Sequence, residues 1–175
     1  SALRCEDPVL VIEHVALYGS TGPGPLGDFD YCIPLGKAKV VRPGPAFTVL
    51  TYLAMTPLAV RAAADMGVDA EVIDLRSLDR AGIDWEAIEA SVRKTHNVVV
   101  LEQGPLTGSY GAMLVDEVQR RCFDDLDQPV ARIHGGESSP SVSRVLERSA
   151  FVGLDEIKAG YARMMADQSR PVAVS

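Results

Sequence analysis

The sequence predicts an α/β fold: a three-layer sandwich built on a mostly parallel sheet with an antiparallel edge strand. Three observations carry this. Short apolar runs at residues 70–75, 98–101 and 130–133 alternate with helical patterns of about three turns, the order of a parallel sheet covered on both faces. Two further strand candidates, residues 38–42 and 46–52, flank Pro43-Gly44-Pro45, a strong turn signal that predicts a hairpin and so the antiparallel edge. Last, the run at 98–101 stops at Glu102 and passes through Gly104, Gly108 and Gly111 into an amphipathic segment, the strand–loop–helix corner of such a fold.

The elements follow in order. Residues 9–12 read as a short buried strand entered through Pro8. Residues 20–34 (STGPGPLGDFDYCIP) are rich in Gly and Pro and cannot hold a helix, so they read as an exposed linker. After the two strand candidates, Thr56-Pro57 looks like an N-cap with Pro at the first helical position. That helix should span 57–66 and stop at Gly67. A strand at 70–75 (AEVIDL) follows. A helix over 84–94 comes next, capped by Asp84 and turning Trp85, Ile88 and Val92 to one face. Then come the strand at 98–101, a helix over Tyr110–Arg121, a strand at 130–133, a short helix at 143–148 and a last helix at 155–165. This divides the chain into a leading piece (1–19), the linker (20–34), the α/β domain (35–166) and a loose tail (167–175).

Composition narrows the function classes. At 175 residues, 47% apolar and 23% charged, the chain suits one globular domain. A net charge of −7 opposes non-specific binding to nucleic acid or to an anionic membrane. Arg120-Arg121 is a small basic cluster followed by Asp124, Asp125 and Asp127, and it reads as a solvated helix end. Cys5, Cys32 and Cys122 form no C-x-x-C pair, which opposes a structural zinc or a dithiol redox motif and fits reduced thiols in a cytoplasmic setting. No apolar run approaches the ~20 residues that span a bilayer.

The candidate chemistry is sparse. The glycine loop is neither G-x-G-x-x-G nor a P-loop, and it holds no Lys or Arg for a phosphate. His96 lies in a turn and reads as solvated. His14 and Tyr18 stand four apart, as a local packing pair would on a helix. His134 follows a strand end, where α/β sheets place ligands. Serines 138, 139, 141 and 143 surround Pro140 as loop and cap residues, with no G-x-S-x-G elbow. Glu102 is the best polar candidate. A carboxylate buried there needs hydrogen bonds or a partner, so it either holds loop N–H groups or faces another subunit. Arg76 is its expected partner, on the expectation that their strands are neighbours. Nothing assembles a nucleophile, a base and an oxyanion hole.

Taken together, IPLGKAKVVRPG, AEVIDLRSL, EASVRKTHNVVVLEQGPLTGSYGA and FDDLDQPVARI, in this order and spacing, resemble the beta subunit of thiamine-diphosphate-dependent 2-oxo acid dehydrogenases, the group of the pyruvate, branched-chain and acetoin enzymes. The resemblance runs from Ala2 to about Met165. It implies a transketolase-type C-terminal domain preceded by the end of a pyrimidine-binding domain. SALRCEDPVLVIEHVALYG would supply that end, with Glu13, Leu17 and Tyr18 at matching positions. Ser1 would then lie mid-helix, and the chain would be a fragment.

The resemblance further implies that the activating glutamate lies outside this piece, and that thiamine diphosphate and magnesium belong to the full assembly. The fragment alone is expected to be inactive and to bind neither. Its implied partners are the alpha subunit, a second beta subunit and the dihydrolipoyl acyltransferase core. Glu13, Tyr18, Arg76, Glu102, Gly104, Gly108 and Gly111 would serve structure and interface, the glycines allowing close backbone approach. The backbone carbonyls of Ala2, Cys5 and Asp7 match a monovalent-cation site of some members, expected to be empty or disordered here. An exposed apolar patch larger than a monomer normally shows is expected. Two stretches depart from the family pattern: DRAGID after DLRSL, and SSPSVS near the end. The alternatives are a non-catalytic α/β interaction module and a nucleotide-binding domain, the latter opposed by glycine spacing and charge.

Overall fold

The computed structural model describes residues 1–22, 24–25, 27–137 and 139–168. Ser138, two positions of the linker and the tail beyond Gln168 lie outside the described residues.

Five strands form one sheet among the described residues: β1 (Lys39–Arg42), β2 (Thr48–Thr51), β3 (Glu71–Asp74), β4 (Val98–Pro105) and β5 (Ala131–Gly135), in the order β1-β3-β2-β4-β5. β2, β3, β4 and β5 run parallel, and β1 pairs antiparallel with β3. The antiparallel edge is therefore present, but the expected hairpin is not. Pro43-Gly44-Pro45 carries the chain past β3 instead of folding β1 onto β2. A Cβ at Gly44 would fall 2.0 Å from the Asp69 carbonyl oxygen, so this crossing is built on close backbone contact with the start of β3. Arg42 secures it by donating to the Ala70 carbonyl at 2.7 Å.

Helices α1 (Met55–Met66) and α5 (Leu154–Gln168) cover one face, and α2 (Trp85–Thr95) and α3 (Tyr110–Arg121) the other; α4 (Arg144–Glu147) is a single turn near the end of β5. Adjacent strand residues point to opposite faces. Phe47, Val49, Val99 and Leu101 meet Ala59, Ala62 and Tyr161 below the sheet, while Leu50, Ile73, Val98 and Val100 meet Ile88, Val92, Leu114 and Val118 above it. Two apolar faces require strands apolar at every position, which is why 98–101 reads as an unbroken run.

Helix ends follow the local chemistry in part. Gly67 closes α1 in the left-handed region at φ +62, and the Asp84 carboxylate accepts from the Ala87 N–H to cap α2. Thr56 is not the N-cap of α1: the helix starts earlier, with Ala54 as cap, so Thr56 and Pro57 sit inside its first turn. Pro is tolerated there because the first-turn N–H groups have no intrahelical acceptor. Residues 9–12 form no strand. They are exposed and pair with none of the five strands, and Val15–Leu17 makes one 3-10 turn.

Arg120 and Arg121 are not a free helix end. With Arg80 they converge on Glu117, a carboxylate 3% exposed, at 2.5, 3.0 and 3.1 Å, and the Arg121 guanidinium lies 4.4 Å from the Trp85 ring centre. Arg80 comes from DRAGID, so that departing stretch is anchored to α3.

Candidate functional site

The polar centre of the molecule is Glu102, on β4, with no solvent exposure. Its Oε1 accepts from Ser109 Oγ at 2.7 Å and from Arg132 Nε at 3.1 Å. Its Oε2 accepts from the Gly111 backbone N–H at 2.8 Å and from the Tyr52 hydroxyl at 3.0 Å. Gly111 is in the first turn of α3, whose own cap residue, Ser109, makes no side-chain capping bond. Glu102 thus caps α3 from a neighbouring strand, placing a negative charge where the helix N-terminus favours one. Burial alone would push this carboxyl up. The hydrogen bonds from Ser109, Arg132, Gly111 and Tyr52 outweigh it and hold the group below the ordinary carboxylate range. The same burial and the nearby carboxylate push the Tyr52 phenol up.

Arg132 completes the centre. It stands on β5 opposite Val100, on the sheet face that carries Glu102. Beyond Glu102 it donates to the carbonyls of Leu106 at 2.6 Å and Pro105 at 2.9 Å, and to Ser109 Oγ. Glu137, after β5, pins the loop tip by accepting from the Thr107 N–H at 3.1 Å and its hydroxyl at 2.9 Å.

Each loop glycine has its own reason. A Cβ at Gly111 would sit 2.1 Å from Glu102 Oε1, and one at Gly104 would sit 2.8 Å from Ser109 Cβ. Gly108 has open space but φ +74.

Of the two roles expected for Glu102, holding a loop N–H is realised. Its expected partner is not Arg76. β2 lies between β3 and β4, so their strands are not neighbours, and Arg76 faces Asp74 instead at 3.7 Å. Glu13 and Tyr18 form an exposed pair, hydroxyl to carboxylate, at 2.8 Å. His14 does not pack on Tyr18. It caps the 3-10 turn through Nδ1 and meets Gln103 across Nε2 at 3.3 Å. His96 is exposed but ties α2 to the Asp125 carbonyl at 2.8 Å, and His134 Nδ1 lies 2.8 Å from the Gly135 carbonyl oxygen. Ala2 opens a 3-10 turn whose carbonyl accepts from the Cys5 N–H at 3.4 Å. Tyr52, Ser109, Arg132 and Glu137 were missed from sequence. An arginine inside the run VARI carried the signal, since a charge on a covered face of the sheet requires an acceptor.

These donors do not fit a diphosphate. The Gly111 N–H faces a carboxylate, and Arg132 is engaged with Glu102, Ser109 and two carbonyls. Among the described residues, no group of three His, Cys, Asp or Glu could hold a metal ion, and no helix is long and apolar enough to cross a membrane. The arrangement ties down the loop between β4 and α3.

Comparison with known proteins matches this architecture. A solved structure titled "Split gene transketolase, inactive beta4 tetramer" superposes with a TM-score of 0.64 over 83% of this chain and 47% of its own, at 21% identity, a likeness of fold. The 2-oxoisovalerate dehydrogenase subunit beta of Pseudomonas aeruginosa is 37% identical over 180 residues, covering 94% of this chain and 50% of that protein. The mitochondrial pyruvate dehydrogenase E1 component subunit beta-1 of Arabidopsis thaliana is 37% identical over 162 residues, covering 90% and 44%. The chain spans about half the length of these curated relatives. The family described as "Transketolase, C-terminal domain" matches residues 36–157, so the chain belongs to the transketolase C-terminal domain family.

Proposed function

We propose that this chain serves as part of the beta subunit of a 2-oxo acid dehydrogenase E1 component, supplying subunit assembly and docking while the chemistry is done elsewhere in the assembly. Similarity at 37% identity over 94% of the chain is the observation that carries this reading. The surface supports it. Leu3, Val11, Val15, Tyr18 and Phe29, all before the α/β domain, are exposed, the extreme being Leu3 at 102%. So much apolar surface along one segment suits contact with more protein.

The reaction is then oxidative decarboxylation of a 2-oxo acid with acyl transfer to lipoyl, on thiamine diphosphate and magnesium bound in the full assembly. The alpha subunit, a second beta subunit and the dihydrolipoyl acyltransferase core are the partners, in the cytoplasm.

Co-expression of the natural gene product with the alpha subunit of the same organism tests this. A stable alpha–beta assembly should reduce an artificial electron acceptor only when a 2-oxo acid and thiamine diphosphate are both supplied. Failure to assemble, or assembly without 2-oxo acid-dependent reduction, would replace this reading with a non-catalytic α/β interaction module.

A further inference from the structure

Leu53 and Arg76 are non-glycine residues in the left-handed backbone region, at φ +52 and +58. They follow the adjacent C-terminal ends of β2 and β3, where Thr51 pairs with Asp74 and the Leu75 N–H donates to the Thr51 carbonyl at 2.9 Å. Left-handed geometry is costly for both side chains, and paired outliers of this kind gather at binding sites. The C-terminal ends of parallel strands are also where sheets of this class place ligands.

A cavity of about 340 Å³ lies at these ends. Leu10, Ile12 and Leu17 of the leading segment line it together with Leu53, Asp74 and Arg76. The volume suits a small molecule. The two charged side chains are partly buried, at 24% and 31% exposure, and Arg76 Nε stands 3.7 Å from Asp74 Oδ2, outside hydrogen-bond range. Asp74 is its ion-pair partner at that distance, and the pair is too long for a hydrogen bond, so the guanidinium donors are open to a ligand acceptor. Burial pushes the Asp74 carboxyl up, against the opposing pull of the Arg76 guanidinium and backbone N–H, of Lys39 and of the Thr56 hydroxyl.

One carboxylate, one guanidinium loosely paired with it beyond hydrogen-bond range, and an aliphatic wall complement a zwitterion that carries an aliphatic side chain. We propose that this cavity binds a free aliphatic α-amino acid, its carboxylate on the Arg76 fork, its ammonium on Asp74, and its side chain against Leu10, Ile12, Leu17 and Leu53. A 2-oxo acid leaves Asp74 unmatched, and a simple amine leaves Arg76 unmatched. The site needs no thiamine chemistry, so it stands or falls apart from the function proposed above.

Calorimetric titration of the 175-residue chain with L-leucine is the test, with isopentylamine and 4-methylpentanoate as controls lacking one charge each. Saturable leucine binding is expected, with each control at least about tenfold weaker. Arg76→Asn removes the guanidinium while tolerating the left-handed backbone, and it should weaken leucine about tenfold or more with no fall in melting temperature. Leu53→Gly keeps the backbone and removes part of the wall; it should weaken leucine and leave the amine-to-acid ranking of the controls unchanged. No saturable leucine binding up to about 10 mM overturns the proposal, since such weakness is below any specific site of this size. So do controls that bind as well as leucine, or leucine binding that survives Arg76→Asn. If Arg76→Asn does not fold, the controls and Leu53→Gly decide.

Discussion

Glu102 and Arg132 meet across the neighbouring strands β4 and β5, with the carboxylate wholly out of solvent and the guanidinium Nε 3.1 Å from its Oε1. Removing one partner leaves the other buried and uncompensated. Arg132→Met should therefore destabilise the domain by about 3–5 kcal/mol, read from urea unfolding. Tyr52→Phe, which takes away one neutral donor to the carboxylate at 3.0 Å, should cost less, about 1.5–3 kcal/mol. Equal effects from the two would refute the hierarchy.

The loop glycines separate by mechanism. Gly108→Ala meets no neighbour but must adopt φ +74, a cost of about 1–2 kcal/mol. Gly111→Ala drives a methyl into the Glu102 carboxylate and should cost more, because it breaks the helix cap as well. In a Glu102→Ala background the Gly111 substitution should lose much of its effect, while Gly108→Ala should keep its own. Thermal melts of the single and double variants measure this coupling.

Acid should weaken the domain through two buried carboxylates. Glu71, like Glu102, feels burial first, and its bonds from Lys94 and Ser91 then hold it below its ordinary value of 4.5. A carboxyl depressed in the folded state contributes stability that is complete above the unfolded value and is lost as pH falls through the folded one. Unfolding midpoints in urea should hold from pH 7 down to the ordinary carboxylate range and drop below it. Glu71→Gln should lower the plateau and flatten the drop; an unchanged slope would exclude Glu71 as a source.

Beneath the sheet, α5 approaches β5 through Gly160, where a Cβ would fall 2.2 Å from Ile133 Cδ1. Gly160→Ala should destabilise by about 1–3 kcal/mol despite its better helix propensity. Ile133→Ala, alone worth about 2–5 kcal/mol, deletes both clashing carbons, Cδ1 and the Cγ1 at 2.6 Å. The double variant should be more stable than the sum of the two losses, as chemical denaturation will report.

The fold was legible where apolar runs decide it. Strands at 71–74 and 98–101 and the helix Tyr110–Arg121 follow from burial on two faces and from a stripe on one. Partner choice was not legible. Pro43-Gly44-Pro45 signals a change of direction, but it does not say whether β1 turns onto β2 or passes to β3; the backbone contact at Gly44 decides that, and it exists only in three dimensions. The same holds for Glu102. Its need for a cation follows from desolvation, whereas the choice of Arg132 over Arg76 depends on strand order. Residues 9–12 read as a strand because their side chains are apolar, yet they stay exposed and join none of the five strands.

The place of β1 sets an order of events as the chain is made. Its hydrogen-bonding partner is β3, so residues 39–42 have nothing to pair with until β2, α1 and residues 71–74 have all been synthesised. The earliest of these five strands in the sequence thus waits for the third before it can dock, and with one neighbour and a bulge between Val40 and Arg42 it is easily peeled away. Amide protons of β1 should be the first in the sheet to exchange with heavy water, ahead of the central β2.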